Sequence, residues 1–148
     1  MRKLLVALTL LPMPLMAQDL AIAPVKMLDT SNEARDQQAD HDRRIGLMED
    51  ILADELSGQL VSRQDIATAC PRETTECLVA VLRERGAERG LFIVVQKTST
   101  LILQAFASLV DLEGETLVTH TELSFRGDND EAWEKAAHFL AGKLQTKG

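Results

Sequence analysis

Nucleophilic catalysis near neutral pH needs a base within hydrogen-bond reach of the nucleophile, so the supply of histidine is the first constraint. The chain has three, His41, His120 and His138. His41 lies between Asp40 and Asp42 in a polar stretch, where adjacent residues rarely converge on one ion without partners from elsewhere. His120 stands beside Glu122 on the outward side of a strand, and His138 lies one helical turn from Glu134. All three read as surface residues, and no set of metal ligands is evident. The most specific patch is Gln96-Lys97-Thr98-Ser99-Thr100, a polar interruption between two apolar runs. One reading makes it the turn between two strands. A second places Gln96, Lys97 and Ser99 at a sheet end with Arg126 and Asp130, as a polar rim that binds an anion or a protein partner. A third, a hydrolase built on a Ser99/Lys97 pair, is formally available, although nothing in the spacing requires it. The carboxylate pairs Glu113/Glu115 and Asp128/Asp130 look like turn and cap residues. Gly86, Gly90 and Gly114 stand singly, so no phosphate cradle is formed and no cofactor is implied.

Cys70 and Cys77 are separated by six residues. Their spacing is wrong for a C-x-x-C redox pair, and a zinc site needs two further ligands. A single structural disulfide is the simplest reading in an oxidising compartment, worth roughly 2.5 kcal/mol by loop entropy. The N-terminus argues for that compartment. Met1-Arg2-Lys3 is a basic head, and Leu4–Met16 is an apolar run broken by Thr9, Pro12 and Pro14. This is the pattern of a secretory signal peptide, too short to span a bilayer that needs about 20 apolar residues. Cleavage after Ala17 leaves a single extracytoplasmic domain over residues 18–148, periplasmic and without a transmembrane segment.

The full chain has 148 residues, 45% hydrophobic, with 16 basic and 23 acidic side chains and a net charge of −7. Loss of Arg2 and Lys3 with the leader leaves 14 against 23, or −9. Such a balance repels nucleic acid and anionic lipid, which removes a nucleic-acid partner from consideration. The length fits one domain and the apolar fraction excludes wholesale disorder.

The elements that must carry these side chains follow from periodicity. Leu20–Met27 reads as a first strand, and the polar stretch Asn32–Asp42 as an exposed loop with solvated charges. Ile45, Met48, Ile51, Leu52 and Leu56 mark one helix face. Leu60-Val61-Ser62 is a short strand; after the cysteine loop, Glu76–Arg85 is a buried helix. Leu91–Val95 is five apolar residues in a row, the mark of a strand covered on both faces. Leu101–Asp111 and the segment after Glu113-Gly114 form a hairpin. In the return strand Leu117, Thr119, Thr121, Leu123 and Phe125 face one way. Asp128–Glu131 offers caps for a last helix with Trp133, Ala136, Ala137, Leu140 and Leu144 on its apolar face. The expectation is a single α/β domain, a mixed five-stranded sheet in the order βαβαβββα with helices packed on it, parallel at first and closing in an antiparallel meander.

From Val95 to Leu140 the residues resemble a family of bacterial secreted proteins known as a domain of unknown function. Its members carry a Q-K-V-S-N-L-I-L segment, a D-x-x-x-G-x-x-V hairpin and an R-G-N-T-D-E-S-W segment. Gln96, Lys97, Ser99, Leu101, Ile102 and Leu103 match the first. Asp111, Gly114 and Val118 match the second; Arg126, Gly127, Asp130, Glu131 and Trp133 match the third. Departures fall at Thr98, Thr100, Asp128, Asn129 and Ala132, positions of polar, surface type. The resemblance implies a fold similar to the N-terminal domain of the Tol-system periplasmic protein and to the curli-export lipoprotein. It implies a role in envelope protein–protein contact, or in support of a periplasmic quinoprotein dehydrogenase system, with a periplasmic or envelope protein as partner.

Overall fold

A computed structural model describes residues 19–147; the expected leader, residues 1–17, lies outside the described residues. The chain runs β1 (Leu20–Ile22), β2 (Lys26–Asp29), α1 (Gln38–Leu56), β3 (Gln59–Leu60), α2 (Arg63–Ala69), α3 (Thr75–Glu84), β4 (Arg89–Lys97), β5 (Ile102–Asp111), β6 (Thr116–Arg126) and α4 (Asp130–Gln145). The expected single α/β domain with a mixed sheet is what forms. The main strand order is β3-β1-β4-β5-β6, with β2 also on β4. β1 and β2 lie parallel to β4, as β3 does to β1; β4, β5 and β6 form the antiparallel meander.

Six strands replace the expected five because the first is split at Pro24. A proline has no N–H for the ladder, and the register against β4 slips by one residue across it. The backbone of Val25 is left out of the ladder, although its side chain stays in the core. Glu49 accepts its N–H at 2.8 Å, and the Arg63 guanidinium donates to its carbonyl. A second departure is α2, where Ser62 caps the helix by accepting from Asp65 N–H at 3.0 Å. Seven residues are too few to show a periodic stripe, which hid it from the pattern. α1 also starts at Gln38, well inside the stretch expected to be a solvated loop.

The two faces of the sheet are covered unequally. On one, Leu91, Ile93, Val95, Leu103, Ala105, Ala107 and Leu109 meet α1 and α4 in the main core, with Trp133 fully buried. On the other, α2 and α3 cover one end over Ala21, Ala23 and Leu112, joined to the Cys70–Cys77 bond. A bulge in the β5–β6 ladder sets Leu117 opposite Val110, while beyond it Thr119 faces Leu109. Leu117 is therefore turned to the second face and is 61% exposed, against the alternation expected of it.

Candidate functional site

Alternation along β4 decides where the family-like segment Gln96–Ser99 points. Lys97 shares its face with Val95 and Ile93, beneath the helices, and its side chain is 1% exposed. Gly127 takes φ +96, a backbone conformation that glycine adopts freely, and so turns the chain out of β6. Asp128 is thereby brought inward, and Asn129 caps α4 by accepting from Ala132 N–H at 2.9 Å. α1 supplies His41 and Arg44, three residues apart and so on one face.

Asp128 is the hub. Its Oδ2 accepts from Lys97 Nζ at 2.7 Å and lies 2.9 Å from His41 Nε2. Its Oδ1 accepts from an Arg44 terminal nitrogen at 2.9 Å and from Trp133 Nε1 at 3.0 Å. Lys97 Nζ also donates to Gln37 Oε1 at 2.8 Å and to Glu33. Arg44 Nε reaches Asp130 at 3.1 Å, where Arg43 binds as well. The end of β4, the loop before α1, the start of α1 and the β6–α4 junction are thus tied through one carboxylate.

Burial works against the charge on Asp128, but hydrogen bonds from Lys97, His41 and Trp133 and the Arg44 charge outweigh it and hold the carboxyl at about 2. For Lys97 burial favours the neutral amine, yet its bonds to Asp128 and Glu33 prevail and raise its pKa. A lysine held charged, with its hydrogens committed to three acceptors, is not poised as a general base. Ser99 is also occupied elsewhere: its Oγ accepts from Ile102 N–H at 3.2 Å and closes the β4–β5 turn. The Ser99/Lys97 pair is not assembled.

The five candidate residues accordingly separate. Lys97 and Asp130 belong to the charge cluster, and Ser99 belongs to the turn. Gln96 faces the opposite side of the sheet from Lys97, in one cross-strand row with Leu28, Gln104 and Ser124. Arg126, opposite Ile102, lies on that same face and is exposed. Sequence reasoning missed Asp128, His41, Arg44 and Glu33. By pattern Asp128 falls at a surface-type position and Glu33 and His41 in a solvated stretch, while nothing in the sequence marks Arg44. The available signal was Trp133, whose buried indole N–H must find an acceptor nearby.

The second face carries a groove beside α2 and α3. One hollow of about 370 Å³ is lined by Ile66, Leu78, Phe92 and Val94, with Lys26, Arg63 and Glu73. A second of about 470 Å³ shares Leu78 and Phe92 and continues to Val110 and Leu117. Glu49, beside the first, has its pKa raised by burial, against the bond from Val25 and the charge of Arg63.

A mixed sheet with helices unequally divided between its faces is the fold class of this domain. The chain belongs to the family described as a protein of unknown function (DUF2380), whose model matches residues 18–144. No curated protein matches it. Among solved structures it is similar to the hypothetical protein CT253 from Chlamydia trachomatis, at 10% identity, covering 86% of this chain and 96% of that one, with a TM-score of 0.55. It is similar to PelC, solved as the L103M dodecamer from Paraburkholderia phytofirmans, at 12% identity over 86% and 85% of the two chains, TM-score 0.52. Lipoprotein GNA1162 from Neisseria meningitidis gives 14% identity over 86% and 94%, TM-score 0.50. At these identities the likeness is one of fold. Among the described residues no helix is long and apolar enough to cross a membrane.

Proposed function

We propose that this is an exported, periplasmic accessory protein that works by holding a protein partner on the incompletely covered face of its sheet. The observation that carries the reading is the contrast between the two faces. Lys97 of the family-like segments is consumed inside the fold against Asp128, while Phe92, Val94, Phe106 and Leu117 lie along a face that α2 and α3 cover only at one end. Gln96 and Arg126 supply polar contacts on that face; Lys97, Ser99 and Asp130 hold the end of the sheet in shape. The leader-like N-terminus and the disulfide support export, as does likeness to a fold found in a lipoprotein. Kinship with the Tol-system domain is part of the same proposal. A periplasmic quinoprotein dehydrogenase is the partner to test first, because the family resemblance points there.

The test is a photoreactive residue placed at Val94, with Lys135 on the outer side of α4 as control, in cells exporting the protein. The expected result is one discrete protein adduct from position 94 and none from 135. The purified adduct partner should then bind the wild-type domain and lose binding to the Gln96→Ala/Arg126→Ala variant, whose melting temperature is unchanged. Equal adducts from both positions, or full binding by the double variant, would overturn the reading.

A further inference from the structure

We infer that β6 is a self-complementary edge through which two copies of this chain pair, antiparallel, about a two-fold axis at Thr121. β6 is bonded to β5 on one side and to no described strand on the other. The edge is eleven residues long and interrupted by the bulge opposite Leu109 and Val110, which leaves the stretch from Thr119 onward as regular strand with its backbone groups unpaired on that side.

The hydrogen-bond phase fixes what the edge offers. Gly127 N–H donates to the Leu101 carbonyl at 2.9 Å, so the odd-numbered residues before it in the ladder, 125, 123 and 121, aim their backbone groups at β5. The even-numbered residues His120, Glu122 and Ser124 therefore aim N–H and C=O outward. A second strand joined by these groups keeps the faces of the sheet continuous only when even residues lie opposite even residues.

An axis at Thr121 satisfies that condition over Thr119–Leu123, the stretch above the bulge that this axis sets opposite itself. In this register the His120 imidazole of each copy lies opposite the Glu122 carboxylate of the other, on the open face. An axis at Glu122 would instead oppose two carboxylates, which disfavours it. Thr121 meets its own copy in a pair without backbone hydrogen bonds, the arrangement that brings side chains closest.

A second observation lies at that same point. Thr121 Oγ1 is the buried side-chain oxygen without a partner among the described residues. A hydroxyl left unpaired in a protein interior is destabilising, and Thr–Thr bonding across strands is a known way to satisfy one. With the side chains turned to the edge, one Thr121 hydroxyl donates across the axis and the other accepts.

α4 provides a flank for the same contact. His138 bonds to Glu55 of α1, and Gln145 donates to the Glu55 carbonyl, which defines the side of α4 turned to α1. Helical spacing puts Phe139 on the other side, toward β6, where it is 45% exposed with Lys143 Nζ 5.3 Å from its ring centroid. Strands paired about 4.8 Å apart bring the two α4 helices alongside each other at this flank. The occupant is a second copy because the edge complements itself; the inference does not rest on the partner reading above.

Sedimentation of the mature, oxidised protein from 1 to 200 µM tests it, with chosen concentrations that span micromolar affinity. The expected species is a dimer. Glu122→Lys sets a cation against His120 and should weaken dimerisation at least tenfold, while His120→Glu/Glu122→Lys restores the opposite pairing and the dimer. Thr121→Cys should form an intermolecular disulfide on mild oxidation, and Thr119→Cys, which lies opposite Leu123, should not. Circular dichroism shows that each variant is folded. A monomer throughout the range, or a dimer indifferent to Glu122→Lys, would overturn the inference.

Discussion

The two faces of this sheet solve opposite problems. Beneath α1 and α4, a carboxylate and three basic side chains are taken out of water and matched bond for bond around Asp128, in a setting otherwise made of aliphatic side chains and Trp133. On the face of α2 and α3, a disulfide and two short helices close one end, and apolar side chains beyond it stay in reach of solvent. Polar groups inside and apolar groups outside both run against the ordinary partition. The first is tolerated because every charge has a counter-charge; the second is tolerated because a half-covered antiparallel sheet is still a stable layer. Rigidity is therefore concentrated on one face, and surface available for contact on the other.

The largest expected effect breaks the matched side of that comparison. Asp128→Ala leaves Lys97, Arg44 and His41 buried around a missing charge, and should cost about 3–5 kcal/mol in denaturant unfolding. Removing both cysteines acts on the other face, should cost roughly 2.5 kcal/mol, and should loosen α2 and α3 in hydrogen exchange before α1 and α4. Acid gives a third measure. The folded pKa of Asp128, about 2, lies below its ordinary 3.8, so its ionised form stabilises the fold above pH 4. That contribution, about 2 kcal/mol, is lost as pH falls from about 4 through 2. In a folded Asp128→Asn variant the acid transition should lose this component, which a pH series of melting curves would detect.

The central strand, the helix faces and the disulfide were legible because each has a period or a spacing: Leu91–Val95 for the strand, Ile45 to Leu56 for α1, Cys70 and Cys77 for the staple. The charge cluster was not, because it joins residues 33, 37, 41, 44, 97 and 128 that no local pattern relates. Lys97 is marked in sequence by its place at the end of an apolar strand, but that place leaves open which face it takes. One residue of alternation separates Gln96, on the open face, from Lys97, under the helices, and the polar rim proposed as a unit divides along that line. Lys97→Ala should consequently lower stability, whereas Arg126→Ala should not.

The smallest expected effect tests the division where the pattern failed. Strict alternation would put Leu117 with Leu123 and Phe125 beneath α4, and truncating a leucine there would cost 2–5 kcal/mol, as expected for Leu103→Ala. The bulge instead sets Leu117 beside Val110 on the open face, 61% exposed. Leu117→Ala should then change unfolding free energy by no more than about 0.5 kcal/mol, the range of surface substitutions. A loss as large as that of Leu103→Ala would mean that the β5–β6 ladder runs without the bulge. It would also close the Leu117 end of the groove and transfer that side chain to the matched face, so this one measurement decides both the register of the edge strand and the extent of the contact surface.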